Sequence, residues 1–383
     1  MVNRRVNPIQ SNSFFLFGAR GTGKSTLIRQ LLPAESLTFD LLDDEVFDRL
    51  LRQPGIVEEA CDSRKHEWIV IDEIQRLPKL LNLAHRMIEK YGQKFALTGS
   101  SARKLKRGTA NLLAGRAFVN VLFPLTAREM GNLLVLYDVL RWGSLPKLLA
   151  LASPEEKKAY LRSYCLTYIK EEIQAEQVVR RLEPFREFLN IAAQMSGKLI
   201  NFSAIAREVG AHVPTVQTYY QILEDTHLGF RLPHFHRSIR KSQIESPKFY
   251  LFDNGVKNAL EGSLDSIPAP ATSGFGELFE AFVIQELDRL NHYEQKDFRF
   301  SFYRTRAGTE IGLVLSKGQK IVLIEIKSSE RVDEIEAGRL ARLRPDFGES
   351  AKAYYVSRDP QQRLIDGVRC ISWQNMLDEF SGL

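Results

Sequence analysis

From Phe14 to about Thr126 the apolar positions fall in short continuous runs: SFFLF, SLTFDLL, EWIVID, QKFALTG and AFVNVLF. Between them lie segments such as KSTLIRQLL and PKLLNLAHRMIEKYG, whose apolar residues recur at helical spacing. A continuous apolar run suits a strand covered on both faces. Its alternation with helices predicts a parallel sheet between helical layers. Helical patterning then takes over. The stretch SPEEKKAYLRSYCLTYIKEEI opens with Ser153 as N-cap, Pro154 at the first helical position and Glu156 at the third, the arrangement of a capping box. Between about Phe185 and Phe252, three short helices precede a β-rich tail. In that region FSAIAREVG and HVPTVQTYYQILED predict a helix, a Gly turn and a helix, and GFRLPHFHRSIRKSQIESPKFYLFD predicts a hairpin wing. The Pro/Ser/Gly-rich EGSLDSIPAPATSG reads as a linker. After it, the pattern predicts a helix over FGELFEAFVIQELDRL, strands FRFSFYRT, EIGLVLS and KIVLIEIK, helix DEIEAGRLARLR and strand AKAYYVS. The expected fold class is therefore α/β and multidomain. A parallel-sheet domain spans 1–126, a helical linker or lid 127–184, a winged-helix domain 185–260 and a second α/β domain 273–383.

Composition narrows the class. A chain of 383 residues exceeds one ordinary core. Hydrophobic residues at 44% and charged residues at 26% fit a soluble globular protein. The net charge of +6 is compatible with an anionic partner. Cys61, Cys165 and Cys370 are far apart and form no CxxC pair, which argues against a disulfide scaffold or zinc ribbon and favours the reducing cytoplasm. No apolar run reaches the ~18 residues of a membrane span. The run FFLF after Arg4 and Arg5 is too short for a signal peptide.

The chemistry concentrates in GARGTGKST: Gly18, Ala19, Arg20, Gly21, Thr22, Gly23, Lys24, Ser25 and Thr26. The stretch fits G-x-x-x-x-G-K-[ST] between a predicted strand and a predicted helix, the context that motif requires. Glycines let the backbone curl so that N–H groups face phosphate oxygens, and the helix N-terminus adds a favourable field. Lys24 is expected to reach the β- and γ-phosphates of ATP, and the Ser25 hydroxyl to ligate Mg²⁺. Asp72 and Glu73 close the apolar run WIVID, so they emerge at the carboxyl edge of the sheet, where ligands bind in such folds. Asp72 would hold Mg²⁺ through water, and Glu73 would act as general base towards the attacking water. Thr98 or Ser100, ending FALTGSS, could bond the γ-phosphate or orient that water; an ordinary strand-to-turn role is the alternative. Arg116 in LLAGRAF could stabilise transition-state charge, in cis or across a homo-oligomer contact, the alternative being a structural arginine. Arg20 could also approach phosphate.

FGARGTGKSTLIRQLL, IVIDEIQRLPKLL, FALTGSSARKL and LLAGRAF with FPLTAREM resemble a group of prokaryotic AAA+-type ATPases. In that group the ATPase domain precedes a helix-turn-helix segment and a restriction-endonuclease-like domain. The resemblance continues through RWGSLPKLL, SGKLINFSAIAREVG, PTVQTYYQILEDT, SPKFYLFDNGV and GELFEAFV, and so covers nearly the whole chain. It implies ATP hydrolysis.

On the winged-helix reading, Val216, Tyr220 and Leu223 face the core, and Thr215, Gln217, Thr218 and Gln221 face outwards as a recognition surface for DNA. Arg231, His234, His236, Arg237, Arg240, Lys241 and Lys248 form a basic strip suited to phosphates. Winged helices also serve as protein-binding modules, which is the alternative. In the last domain, Glu325 and Lys327 are two apart and project from one face of a strand. The order helix, three strands, helix, strand resembles a nuclease core. Glu280 matches a helical acid of such domains, and Glu325 and Lys327 match their terminal pair, which in active members supports a Mg²⁺-bound phosphate reaction. Gly312 stands where the resemblance calls for an aspartate. Glu310 lies ~6.6 Å back on the same face at ~3.3 Å per residue, too far to substitute unless the metal moves towards it or Glu280 takes over the missing ligand. The expectation is a Mg²⁺-dependent ATPase coupled to DNA binding or remodelling, with a nuclease-like domain that does not cut. An ATP-gated nuclease and a protein-binding signalling switch are the alternatives.

Overall fold

The structure is a computed structural model, and it describes residues 2–63, 65–101, 113–176, 182–236, 246–305 and 308–383. Strands β1 (Ser13–Phe17), β2 (Leu37–Asp40), β3 (Trp68–Asp72), β4 (Lys94–Gly99) and β5 (Ala117–Val121) form a parallel sheet in the order β2-β3-β4-β1-β5. Helices α1 (Lys24–Leu31), α2 (Asp44–Arg52), α3 (Gly55–Asp62) and α4 (Leu80–Tyr91) accompany it. The continuous apolar runs of β1, β3 and β4 have a direct cause: alternate residues of these strands enter different cores. Phe15, Phe17, Ile69, Ile71 and Leu97 pack with Leu80, Ala84 and Met87 of α4. Phe14, Leu16, Val70 and Ala96 pack with Leu27 and Ile28 of α1. Two expectations fail here. SLTFDLL and AFVNVLF read as buried strands, yet β2 and β5 are the two edge strands, with Thr38, Asp40, Phe118 and Val119 exposed, because each pairs on one side only.

Next come α5 (Ala127–Met130), α6 (Leu136–Trp142), α7 (Pro154–Glu176), α8 (Leu182–Gln194), α9 (Phe202–Glu208) and α10 (Val213–Asp225). The capping box of α7 is made: Glu156 N donates to Ser153 Oγ, and Ser153 N donates to Glu156 Oε2. Val216, Tyr220 and Leu223 of α10 are buried, while Gln217 and Gln221 are exposed. Tyr219 and Tyr220 stack edge-on against Phe185 and Phe188 of α8. Strands β6 (Gly229–Leu232) and β7 (Lys248–Leu251) pair antiparallel and lead into α11 (Asn254–Glu261).

The last region holds α12 (Ser273–Tyr293), β8 (Arg299–Arg304), β9 (Glu310–Lys317), β10 (Lys320–Ile326), α13 (Glu334–Leu343), β11 (Lys352–Ser357), β12 (Arg363–Ile365), β13 (Val368–Ser372) and α14 (Trp373–Gly382). Its mixed sheet runs β12-β13-β11-β10-β9-β8. Leu313, Leu315, Val322 and Ile324 meet Phe279, Phe282 and Val283 of α12, together with Trp373 and Phe380 of α14. Val314, Leu323 and Tyr355 meet Ala337 and Leu340 of α13. No helix among the described residues is long and apolar enough to cross a membrane.

One buried polar node joins these regions. Arg289 of α12 donates to Glu286 Oε1, Leu125 O, Ser144 Oγ and Phe252 O, and Ala127 N donates to Glu286 Oε2. Arg289 is 2% exposed and Glu286 1%. Asp253, also buried, accepts from Ser144 N and Val256 N. Removing one member of a buried, hydrogen-bonded pair strands the other. Arg289→Met is therefore expected to lose about 3–5 kcal/mol of stability in urea denaturation.

Candidate active site

The loop from Gly18 to Gly23 joins β1 to α1. Gly21 and Gly23 take φ of 77° and 96°, the left-handed region that glycine enters without cost. Gly18 is fixed by space: a Cβ there would lie 2.2 Å from Leu122 O. Gly23 caps α1 without a side-chain hydrogen bond, so the first-turn N–H groups are left for a ligand. The chain leaves β1 towards β2 on one side and leaves β4 towards β5 on the other. The carboxyl ends of β1 and β4 therefore form the switch point where such sheets bind ligands.

The residues singled out in the sequence meet at this edge. Lys24 Nζ donates to Gly18 O at 2.9 Å and stands 3.9 Å from Glu73 Oε1. Ser25 Oγ donates to Asp72 Oδ2 at 2.6 Å, and Thr98 Oγ1 donates to Asp72 Oδ1. Asp72 is 8% exposed, and hydroxyls from two elements orient both of its oxygens. Glu73 adopts φ 60°, a strained position for a side-chain-bearing residue, and its N–H donates to Thr98 Oγ1. Thr98 thus holds the acidic pair. Ser100 Oγ accepts from Gln75 Nε2 at 2.9 Å, and the same amide nitrogen donates to Glu73 Oε2. Ala19 and Thr22 are buried, and Arg20 is half-buried with its carbonyl accepting from Tyr164. Thr26 is exposed on α1. A Mg²⁺–nucleotide fits this set: a hydroxyl and a carboxylate already aligned, an ammonium over the loop, and an open helix end.

Arg116 departs from its in-cis expectation. It precedes β5 at the amino edge of the parallel sheet, about 16 Å of strand from the carboxyl edge, and it pairs with Glu89. The basic strip is also corrected in part. Lys248 is 5% exposed and ion-paired inside the fold, so it is not presented to a phosphate backbone, and the partly exposed Arg231 pairs with Glu224. Arg237, Arg240 and Lys241 lie outside the described residues.

Two contributors escape the sequence reading. Gln75 binds Glu73 and Ser100 at once, and Gly99 makes room for it: a Cβ at Gly99 would lie 2.5 Å from Gln75 Oε1. Its only sequence signal is a position two residues beyond Glu73. Arg4 donates to Thr22 O at 2.7 Å and also contacts Glu129 and Tyr293. Nothing in the sequence ties it to the loop.

In the last region, Glu280 of α12, Glu310 of β9, Glu325 of β10 and Lys327 just after it line one cleft of about 490 Å³, with Gly312, Glu336 and Arg339. Lys327 Nζ lies 2.9 Å from Glu325 and 3.5 Å from Glu336. Burial pushes the Glu325 carboxyl up, and Lys327 opposes that shift. Gly312 N donates to Glu325 Oε2 at 3.2 Å. Among the described residues, no three His, Cys, Asp or Glu side chains are arranged to hold a metal ion.

Residues 10–131 match the AAA domain family. Residues 135–266 and 275–376 match two domains of unknown function, DUF8612 and DUF4143. An uncharacterised protein of Mycobacterium tuberculosis is 26% identical over 86% of this chain and 76% of its own. One from Haemophilus influenzae is 21% identical over 92% and 91%, and one from Methanocaldococcus jannaschii 20% identical over 88% and 80%. Among solved structures, the replication initiator DnaA bound to AMPPCP and single-stranded DNA shares 16% identity over 56% of this chain and 82% of that one, at a TM-score of 0.29. A Vibrio cholerae protein, VC1899, shares 12% over 97% and 96%, at 0.22. Structural likeness at these scores carries no weight here. The AAA match covers the loop, Asp72, Glu73 and Thr98 together.

The Gly99–Gln75 contact is testable by itself. Gly99→Ala is expected to cost about 1–3 kcal/mol by overpacking, and Gly99→Ala with Gln75→Ala to recover most of that loss in chemical denaturation.

Proposed function

We propose that the chain is a Mg²⁺-dependent ATPase whose nucleotide state is passed to its middle and C-terminal regions. The observation that carries this reading is the joint hold on Asp72 by Ser25 and Thr98, with Lys24 and Glu73 beside it. Bound Mg²⁺ would supply divalent charge to the β- and γ-phosphate oxygens, held by Ser25 directly and by Asp72 through water. Lys24 exchanges loop carbonyls for phosphate oxygens. Glu73 accepts a proton from the attacking water, and Gln75 fixes the carboxylate that does so. The backbone N–H groups of the loop and of the α1 end bind the phosphates.

For the output, we retain DNA as partner, through the exposed Gln217 and Gln221 of α10. The nuclease-like C-terminal region is read as non-cutting, because Gly312 replaces an acid. The engagement of Arg231 and Lys248 in ion pairs favours a second reading, in which the middle region binds a protein. A mobility assay on duplex and single-stranded DNA at low salt, with a non-hydrolysable ATP analogue, separates the two. Shifted DNA supports the first, and unchanged mobility across substrates the second.

Lys24→Ala is expected to weaken ATP binding by ~30- to 1,000-fold, the loss of about 2–4 kcal/mol from one charge-assisted contact. Glu73→Gln is expected to bind ATP normally while turnover falls ~10²- to 10⁴-fold. Nucleotide titration and phosphate release measure the two effects. Normal hydrolysis by the Glu73→Gln protein would remove Glu73 from this role.

A further inference from the structure

A buried cation adjoins the acids of the C-terminal cleft. Lys248, from β7 of the middle region, places Nζ 2.5 Å from Glu310 Oε1 and 3.5 Å from Glu280 Oε1. Tyr250 OH, two residues on, donates to Glu280 Oε1 at 2.6 Å. The ammonium lies against the Phe302 ring and is nearly closed off from solvent. Burial acts against its charge, but Glu280 and Glu310 more than offset this and raise its pKa. The remaining acids of the cleft are matched as well: Lys327 meets Glu325 and Glu336, and Arg339 meets Glu336.

We propose that Lys248 is an intramolecular substitute for a divalent cation, seated between Glu280 and Glu310 and closing the cleft to metal while pinning β7 to the C-terminal sheet. This deepens the non-cutting reading above and rests on it. The physical argument is one of charge and volume. Two carboxylates facing a shared point need a counter-charge. A divalent ion supplies it in an active metal site, and an ammonium supplies it here. A metal cannot enter while Nζ stands within hydrogen-bonding reach of Glu310. Gly312 marks the other half of the change. A Cβ at that position would lie 3.8 Å from the Glu280 carboxylate with no closer neighbour, so there is room for an aspartate beside Glu280. Restoring Gly312→Asp alone therefore leaves the cleft shut. Only removal of Lys248 as well creates three carboxylates without a resident cation.

The test is Mn²⁺ binding, followed by calorimetry or by the free-ion EPR signal, on the nucleotide-free full chain. Wild type and Gly312→Asp are expected to show only the background of the nucleotide site. Lys248→Met/Gly312→Asp is expected to take up one further Mn²⁺ at least ~10-fold more tightly than Gly312→Asp, and to lose it on Glu280→Gln. Equal uptake by Gly312→Asp alone, or no uptake by the folded double variant, would overturn the proposal. Stability gives a second measure that needs no metal. Lys248→Met should lower the melting temperature and Glu310→Gln should restore most of it, whereas additive losses count against the pairing. Cleavage of DNA by wild type with Mn²⁺, abolished by Glu325→Ala, would instead sink the non-cutting reading, and that outcome is distinct from a failed Mn²⁺ gain.

Discussion

Arg289 is the point on which the arrangement of the regions depends. A buried guanidinium cannot be left without acceptors, and its donors have fixed directions. Here the acceptors are Leu125 O after the parallel sheet, Ser144 Oγ after α6, Phe252 O before α11 and Glu286 on its own helix. Three separate stretches of chain must meet at α12 to satisfy one side chain. The adjoining Asp253 repeats the demand: its carboxylate accepts from Ser144 N, and it sits where a Cβ at Gly143 would lie 2.0 Å from Oδ1. Hydrophobic packing gives these regions contact area, and the polar node gives them register.

With α12 fixed in this way, its two ends serve different sites. Tyr293 at the C-terminal end meets Arg4, and Arg4 holds the carbonyl of Thr22 in the β1–α1 loop. Glu280, thirteen residues earlier and so about 20 Å along the helix, lines the acidic cleft. Arg4 is bonded to the loop, to Glu129 and to α12 together, so any displacement of that loop moves a donor shared with the helix. A packed helix transmits such a displacement as a rigid element.

The periodicity of the chain made the elements legible wherever burial was two-sided or helical. SFFLF, WIVID and KFALTG each feed two cores, and they became central strands. β5 misled because an apolar run does not reveal whether a second strand will cover its edge. The meeting of the loop with Asp72 and Glu73 was legible for a different reason. GARGTGKST and the acidic end of WIVID are local patterns whose backbone consequences follow from glycine and strand direction. Gln75, Arg4 and Lys248 were not legible, because their partners lie in other elements. Lys248 looked like a wing residue by its neighbours in sequence. Its position follows from the pairing of β7 with β6 and the approach of that hairpin to Glu310, which no short pattern encodes.

The two acidic sites differ in how their charge is balanced. At the nucleotide edge, Asp72 receives hydrogen bonds from Ser25 and Thr98, both neutral hydroxyls. Those bonds orient the carboxylate without cancelling its charge. In the C-terminal cleft, Glu280 and Glu310 receive a full positive charge from Lys248, and Glu325 receives another from Lys327. An external cation would have to displace an ammonium that is already desolvated and paired, and it would leave that ammonium buried without a partner. The carboxylates of the two sites are thus balanced differently, by neutral hydroxyls at Asp72 and by a buried ammonium at Glu280 and Glu310. What separates them is whether the donors brought by neighbouring elements carry charge.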